Sequence, residues 1–147
     1  MNEHGSKKMK ITIVGIGYVG LSNAILLAQH NHVMLLDVDA EKVKKINHQQ
    51  SPIADAEIED YLKNKALNLK ATLDKSDAYQ QADYVIISTP TDYDPSTNFF
   101  NTSTIEAVIN DINTYSPKAV IVIKSTVPVG YTARIKQELQ NENIIFS

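Results

Sequence analysis

Two rhythms of apolar positions alternate along this chain. Short apolar runs at 10–14, 33–37, 84–88 and 119–123, all but the second rich in β-branched residues, have the length and composition of strands buried in a sheet. Between them, apolar residues recur three and four positions apart. Ile105, Val108, Ile109 and Ile112 share one face of a helix predicted over 102–115, which the Ser116-Pro117 pair ends. The same reasoning predicts helices over 18–30, 39–48, 55–65, 74–82 and 130–140, a short strand at 69–73 and a last strand at 143–146. The stretch 89–101, with two prolines among Asn, Asp, Thr and Ser, is predicted to be an irregular surface loop. Strands alternating with helices imply a doubly wound α/β fold: a mostly parallel sheet with helices on both faces, joined by right-handed crossovers. Such sheets bind ligands beyond the carboxyl ends of their strands, so the loops after Val14, Asp37, Ser88 and Ile123 are the ones to inspect.

Composition narrows the ligand. At 147 residues the chain suits one domain, and 43% apolar with 21% charged residues is the balance of a globular protein. A net charge of −3 with scattered lysines leaves no basic face for nucleic acid or an anionic membrane. No apolar run approaches the ~20 residues that span a bilayer, and the polar start carries no signal-peptide segment, so a cytoplasmic location is expected. Cysteine is absent, which removes disulfides, thiolate metal ligands and a thiol nucleophile from this chain. A small-molecule partner is the expectation that remains.

Glycine supplies the first chemical signal. Three of only five glycines fall within six residues, as Gly15-Ile16-Gly17-Tyr18-Val19-Gly20, between a predicted strand and a predicted helix. This is the G-x-G-x-x-G arrangement of a dinucleotide-binding turn. Gly15 permits the tight turn, Gly17 lets the backbone approach a pyrophosphate, and Gly20 lets the helix pack closely on the strand. The helix N-terminus then offers its unpaired N–H groups and partial positive charge to the anion. Asp37 closes the second predicted strand seventeen residues after Gly20, where an acid accepts the adenosine ribose hydroxyls and repels a 2′-phosphate. NAD rather than NADP is the expected cofactor, on a Rossmann-type sheet. A simpler role for Asp37 is to cap the helix that follows it.

Other polar groups have plain structural readings. Asp92, Asp94, Ser96 and Asn98 have the rhythm of a calcium loop without its glycine or closing glutamate. His30 and His32 lie where a turn needs polar residues, His4 and His48 are isolated, and no metal site is expected. The lysines between Lys42 and Lys45 lie on the solvated face of a helix that also contains Val43 and Ile46, and Lys124, after a buried strand, is either a charged catalytic group or, more plainly, half of a structural ion pair.

Several segments together resemble a known family. Gly15-Ile-Gly-Tyr-Val-Gly-Leu-Ser22, Ser51-Pro-Ile53, Lys70-Ala-Thr-Leu-Asp74, Ser88-Thr-Pro-Thr-Asp-Tyr-Asp94 and Ile123-Lys-Ser-Thr-Val-Pro-Val-Gly130 are similar to the bacterial UDP-glucose 6-dehydrogenases, within the nucleotide-sugar dehydrogenases. The resemblance runs from Met9 to the last residue. It implies an NAD-dependent, two-step oxidation of UDP-glucose to UDP-glucuronate for polysaccharide synthesis, with two NAD reduced per product. It also implies cofactor contacts at the glycine loop with Tyr18 and Val19, and at Asp37, Lys42, Thr91 and Thr126, with Thr126 helping to hold the catalytic water. The family's nucleophilic cysteine, its catalytic lysine, its central helix and its sugar-binding domain lie beyond residue 147. The expectation is therefore a loose leader over 1–9, one NAD-binding domain over 10–147, and no turnover by this chain alone. An apolar face left without the central helix would favour self-association, as a homo-oligomer, or poor solubility. A stand-alone NAD-binding fragment, or the same domain of a UDP-N-acetylmannosamine or GDP-mannose dehydrogenase, is the alternative.

Overall fold

A computed structural model describes residues 8–89, 92–94, 96, 99–101, 103–125, 130–138 and 141–146. The elements are β1 (Lys10–Val14), α1 (Tyr18–Ala28), β2 (His32–Leu36), α2 (Ala40–Asn47), α3 (Ala56–Asn64), β3 (Leu69–Thr72) and α4 (Lys75–Tyr79), then β4 (Tyr84–Ile87), β5 (Asp92–Asp94), β6 (Phe99–Asn101), α5 (Ser103–Tyr115), β7 (Val120–Ile123), α6 (Tyr131–Glu138) and β8 (Ile144–Phe146). Six strands form one sheet in the order β3-β2-β1-β4-β7-β8. Every pairing in it is parallel. The predicted doubly wound sheet is the observed one.

Alternation along the strands builds two apolar layers. On one face Ile11 and Ile13 join Leu35 beneath Leu21, Ala24 and Ala28 of α1, with Ile58 and Leu62 of α3 alongside. On the other, Val85, Ile87, Ile121 and Ile123 meet Ile105, Ile109 and Ile112 of α5 and Ile135 of α6. Burial of each valine, leucine or isoleucine among them contributes about 1.5–3 kcal/mol. Thr12, a fully buried polar residue of β1, is accommodated because its hydroxyl donates to the Ala78 carbonyl. At the edge of the sheet, the Asn47 side-chain amide brackets Ala71 of β3, donating to its carbonyl and accepting from its N–H, both at 2.9 Å. That pairing blunts an otherwise open strand edge. Lys10 reaches along the sheet to the Asp77 and Gln80 carbonyls at 2.8 and 2.6 Å, satisfying the end of α4. Burial holds its ammonium below the usual lysine pKa, against the opposing pull of Asp77.

Three helices begin on aspartate. Asp39 accepts the amides of Glu41 and Lys42, Asp55 those of Glu57 and Ile58, and Asp74 that of Ser76. A cap of this kind is worth about 1 kcal/mol. The predicted helix starts at 39, 55 and 74 are therefore caps, each lying one residue outside its helix. One prediction is corrected: the 89–101 stretch contains the antiparallel ribbon β5–β6, with Tyr93 paired to Phe100, rather than irregular chain throughout. The candidate calcium-loop residue Asn98 lies outside the described residues.

The topology places the ligand crevice. From β1 the chain steps outward through β2 to β3 on one side, then returns to β4 on the other side of β1 and proceeds to β7 and β8. Strand order reverses between β1 and β4, and the loops leaving their carboxyl ends diverge there.

Candidate functional site

The turn from β1 into α1 occupies that reversal point. Gly15 has φ +104°, a conformation that disfavours L side chains. A Cβ on it would also lie 2.9 Å from the Ser88 carbonyl oxygen at the exit of β4. The two central strands thus approach each other through a position only glycine fits. Gly20 is held differently, since a Cβ there would meet the Gly15 carbonyl oxygen at 2.2 Å. Gly17 contrasts with both: a Cβ on it would find nothing within 4 Å. Its lack of a side chain answers no packing demand within the protein, and the space it leaves open lies over the start of α1.

That helix start is unlike those of α2, α3 and α4. Its N-cap is Gly17, no side chain caps it, and its first turn carries no acidic residue. The helical ladder opens with the Leu21 amide donating to the Gly17 carbonyl at 2.9 Å, so the amides of Tyr18, Val19 and Gly20 belong to the open first turn. Their partial positive charge faces the space beside Gly17. Tyr18 and Val19 are exposed at the same end of the helix.

Asp37 stands directly beyond β2, half-buried. One carboxylate oxygen accepts the Ile16 amide at 2.7 Å, and the other accepts the Asp39 amide at 2.9 Å. The cap of α2 is Asp39, so the capping role considered for Asp37 belongs to its neighbour. Lys42, in the first turn of α2, donates from Nζ to the Ile16 carbonyl at 3.2 Å. Ile16 is thereby gripped through both its amide and its carbonyl. Gly15, Gly17, Tyr18, Val19, Gly20, Asp37 and Lys42 are gathered at one edge of the sheet.

Toward β4 and β7 the same edge is lined with hydroxyls. Ser88 Oγ and Thr89 Oγ1 are buried from solvent with no hydrogen-bond partner among the described residues. Unpaired buried hydroxyls cost about 1–3 kcal/mol, a cost that a polar ligand reaching them removes. Ser125, just past β7, donates to the Thr89 carbonyl at 2.6 Å and has the Ile87 carbonyl at 3.3 Å as a second acceptor. Sequence reasoning singled out neither Thr89 nor Ser125. The available signal was their position directly beyond two buried parallel strands. Thr91 and Thr126 lie outside the described residues.

These features fit a dinucleotide. The open cradle at Gly17 and the uncapped helix start suit a pyrophosphate, the Asp37 carboxylate suits ribose hydroxyls, and the orphaned hydroxyls beyond β4 suit a polar group at the far end. A separate cleft of about 320 Å³ lies on the outer side of α1 against α3, bounded by Tyr18, Ile25, Leu26, Asp55 and Tyr61. Of these, only Tyr18 belongs to the glycine turn. Elsewhere, His32 pairs with the Asn68 side chain, and His48 Nδ1 lies 2.8 Å from the Lys44 carbonyl. Among the described residues, no helix is long and apolar enough to cross a membrane.

Comparison with known proteins places this geometry. Residues 9–145 match the model of the UDP-glucose/GDP-mannose dehydrogenase family, NAD binding domain. The chain is 50% identical over 139 residues to a UDP-glucose 6-dehydrogenase of Streptococcus pneumoniae, an alignment covering 95% of this chain and 35% of that protein. It is also 50% identical over 141 residues to one from Campylobacter jejuni, covering 95% of this chain and 36% of that protein. Among solved structures, a UDP-D-ManNAc dehydrogenase from Pyrococcus horikoshii superposes with a TM-score of 0.81 at 28% identity, over 94% of this chain and 34% of that one. A UDP-glucose dehydrogenase from Pyrobaculum islandicum shares the fold, with a TM-score of 0.80 at 24% identity over all of this chain and 36% of that one. The chain thus spans about a third of the length of the curated relatives it matches. It belongs to the UDP-glucose/GDP-mannose dehydrogenase family, as that family's NAD-binding domain.

Proposed function

We propose that this chain is the cofactor half of an NAD-dependent UDP-glucose 6-dehydrogenase, which oxidises UDP-glucose to UDP-glucuronate. Residues 10–147 form the NAD-binding domain, and 1–9 are a leader. The observation that carries the reading is the tie between Asp37 and the Ile16 amide, beside an open Gly17 cradle at an uncapped helix start. The 50% identity to two UDP-glucose 6-dehydrogenases favours UDP-glucose over the sugars named for the other relatives.

Bound NAD supplies the hydride acceptor. The chain's own residues bind and orient it: the α1 amides hold the pyrophosphate, Asp37 accepts the ribose hydroxyls, and Lys42 steadies the turn through Ile16. Thr91 and Thr126 follow β4 and β7 in sequence and serve the nicotinamide end, Thr126 holding the catalytic water. Carrying an alcohol through to a carboxylate by this family's route needs a cysteine nucleophile, and none of the 147 residues is cysteine. This chain alone is expected to form no NADH from UDP-glucose and NAD; sustained NADH formation followed by absorbance would contradict that.

Asp37→Ala tests the cofactor assignment. Loss of a charged hydrogen-bond acceptor costs about 1.5–3 kcal/mol, so NADH affinity should fall roughly 10- to 100-fold. NADPH, which gains from removal of the negative charge, should lose less, narrowing the preference between the two. Titration of both nucleotides reads the result, and unchanged affinity for both would sink the assignment.

A further inference from the structure

A dinucleotide seated with its pyrophosphate at α1 and its adenosine ribose at Asp37 must run its other half across the exits of β4 and β7, on the far side of the reversal point. What holds those exits in register is therefore a question about the nicotinamide end. β4 and β7 pair as far as Ile87 and Ile123, and the Lys124 amide adds one more ladder bond to the Ile87 carbonyl at 2.9 Å. One residue further along, the Ser125 side chain also joins the two exits. Its hydroxyl donates to the Thr89 carbonyl at 2.6 Å, across 36 positions of sequence, and the residue is only 6% exposed. Thr89 in turn carries a buried hydroxyl with no partner among the described residues, as does Ser88.

We propose that Ser125 is a positioning residue for the nicotinamide half of the cofactor, acting through Thr89: its hydroxyl pins the Thr89 carbonyl and so sets where the β4 exit and its hydroxyls stand. The proposal rests on the NAD reading above. It assigns Ser125 no contact with the reacting atoms. Without the pin, the segment after Ile87 loses its side-chain tie to the β7 exit, while Gly17, α1 and Asp37 keep their contacts.

The test separates the two halves of the ligand. ADP-ribose carries the adenosine, pyrophosphate and second ribose but no nicotinamide, so it reports the glycine turn and Asp37. Ser125→Ala is expected to weaken NADH binding roughly fivefold, the size of one neutral hydrogen bond, and to leave ADP-ribose within about twofold. Ser125→Thr, which keeps the hydroxyl, should restore NADH to within about twofold of the parent chain. A merely structural serine would shift both ligands together, or neither. Either of those outcomes overturns the proposal, as does failure of Ser125→Thr to restore binding while it folds normally. Should Ser125→Ala not fold, Ser125→Cys keeps the volume with a much weaker donor and carries the same expectation. If the parent chain, shown folded by thermal unfolding, binds neither ADP-ribose nor NADH, the NAD reading itself fails and takes the proposal with it.

Discussion

Gly17→Val should leave the fold standing and abolish cofactor binding. A Cβ at this position meets nothing within 4 Å, and its backbone, at φ −107° and ψ −170°, lies in the extended region that any residue adopts. The expected cost to stability is within about 1 kcal/mol, that of replacing glycine by a poor N-cap residue. Binding is another matter. The branched side chain would fill the space over the α1 amides, through which a pyrophosphate must come within hydrogen-bonding distance of the backbone. NADH affinity should fall at least 100-fold, while thermal unfolding moves by only a few degrees. Undiminished NADH binding by the folded variant would remove the phosphate-turn reading.

Gly20→Ala makes the opposite prediction three residues later. Its Cβ would lie 2.2 Å from the Gly15 carbonyl oxygen, a backbone atom in a turn already held by Gly15 at φ +104° and by its approach to Ser88. Neither side can yield without moving α1 off β1, where Leu21 and Ala24 are fully buried. Overpacking of this kind costs about 1–3 kcal/mol where side chains can adjust, and a backbone obstacle puts the expected loss at or above the top of that range. Urea unfolding reads it as a lowered midpoint with the slope little changed. An unaltered midpoint would show that the turn tolerates a wider helix-to-strand spacing than its geometry allows. Together the two substitutions divide the motif: Gly20 serves packing, and Gly17 serves the ligand.

The strands and the glycine turn were legible because each depends on local pattern. Lys10–Val14 and Val120–Ile123 are β-branched runs with few alternatives, and Gly15 to Gly20 sit between a strand and a helix in sequence as they do in space. Helix limits were less legible, because an aspartate that caps a helix looks like its first residue until the backbone is known, as at Asp39, Asp55 and Asp74. The β5–β6 ribbon escaped because three-residue strands of Asp, Tyr, Phe and Asn show too little alternation to register, and their surroundings have turn chemistry. Asp37 illustrates the limit at the site. Its place after a strand is visible in the sequence, but its bond to Ile16 joins residues 21 apart, and only the fold shows that Asp39 takes the capping role. Ser125 and Thr89 are further apart still, and their pairing exists only once β4 and β7 lie side by side.

The central claim is that this chain carries a dinucleotide site selective for NAD. Equilibrium titration of the chain itself with NADH and with NADPH tests it most directly, read by calorimetry so that no catalytic activity is required. The account predicts saturable binding of one NADH per chain, with NADPH at least tenfold weaker because its 2′-phosphate would face the Asp37 carboxylate. A folded chain that binds neither nucleotide, or binds both equally, would contradict it.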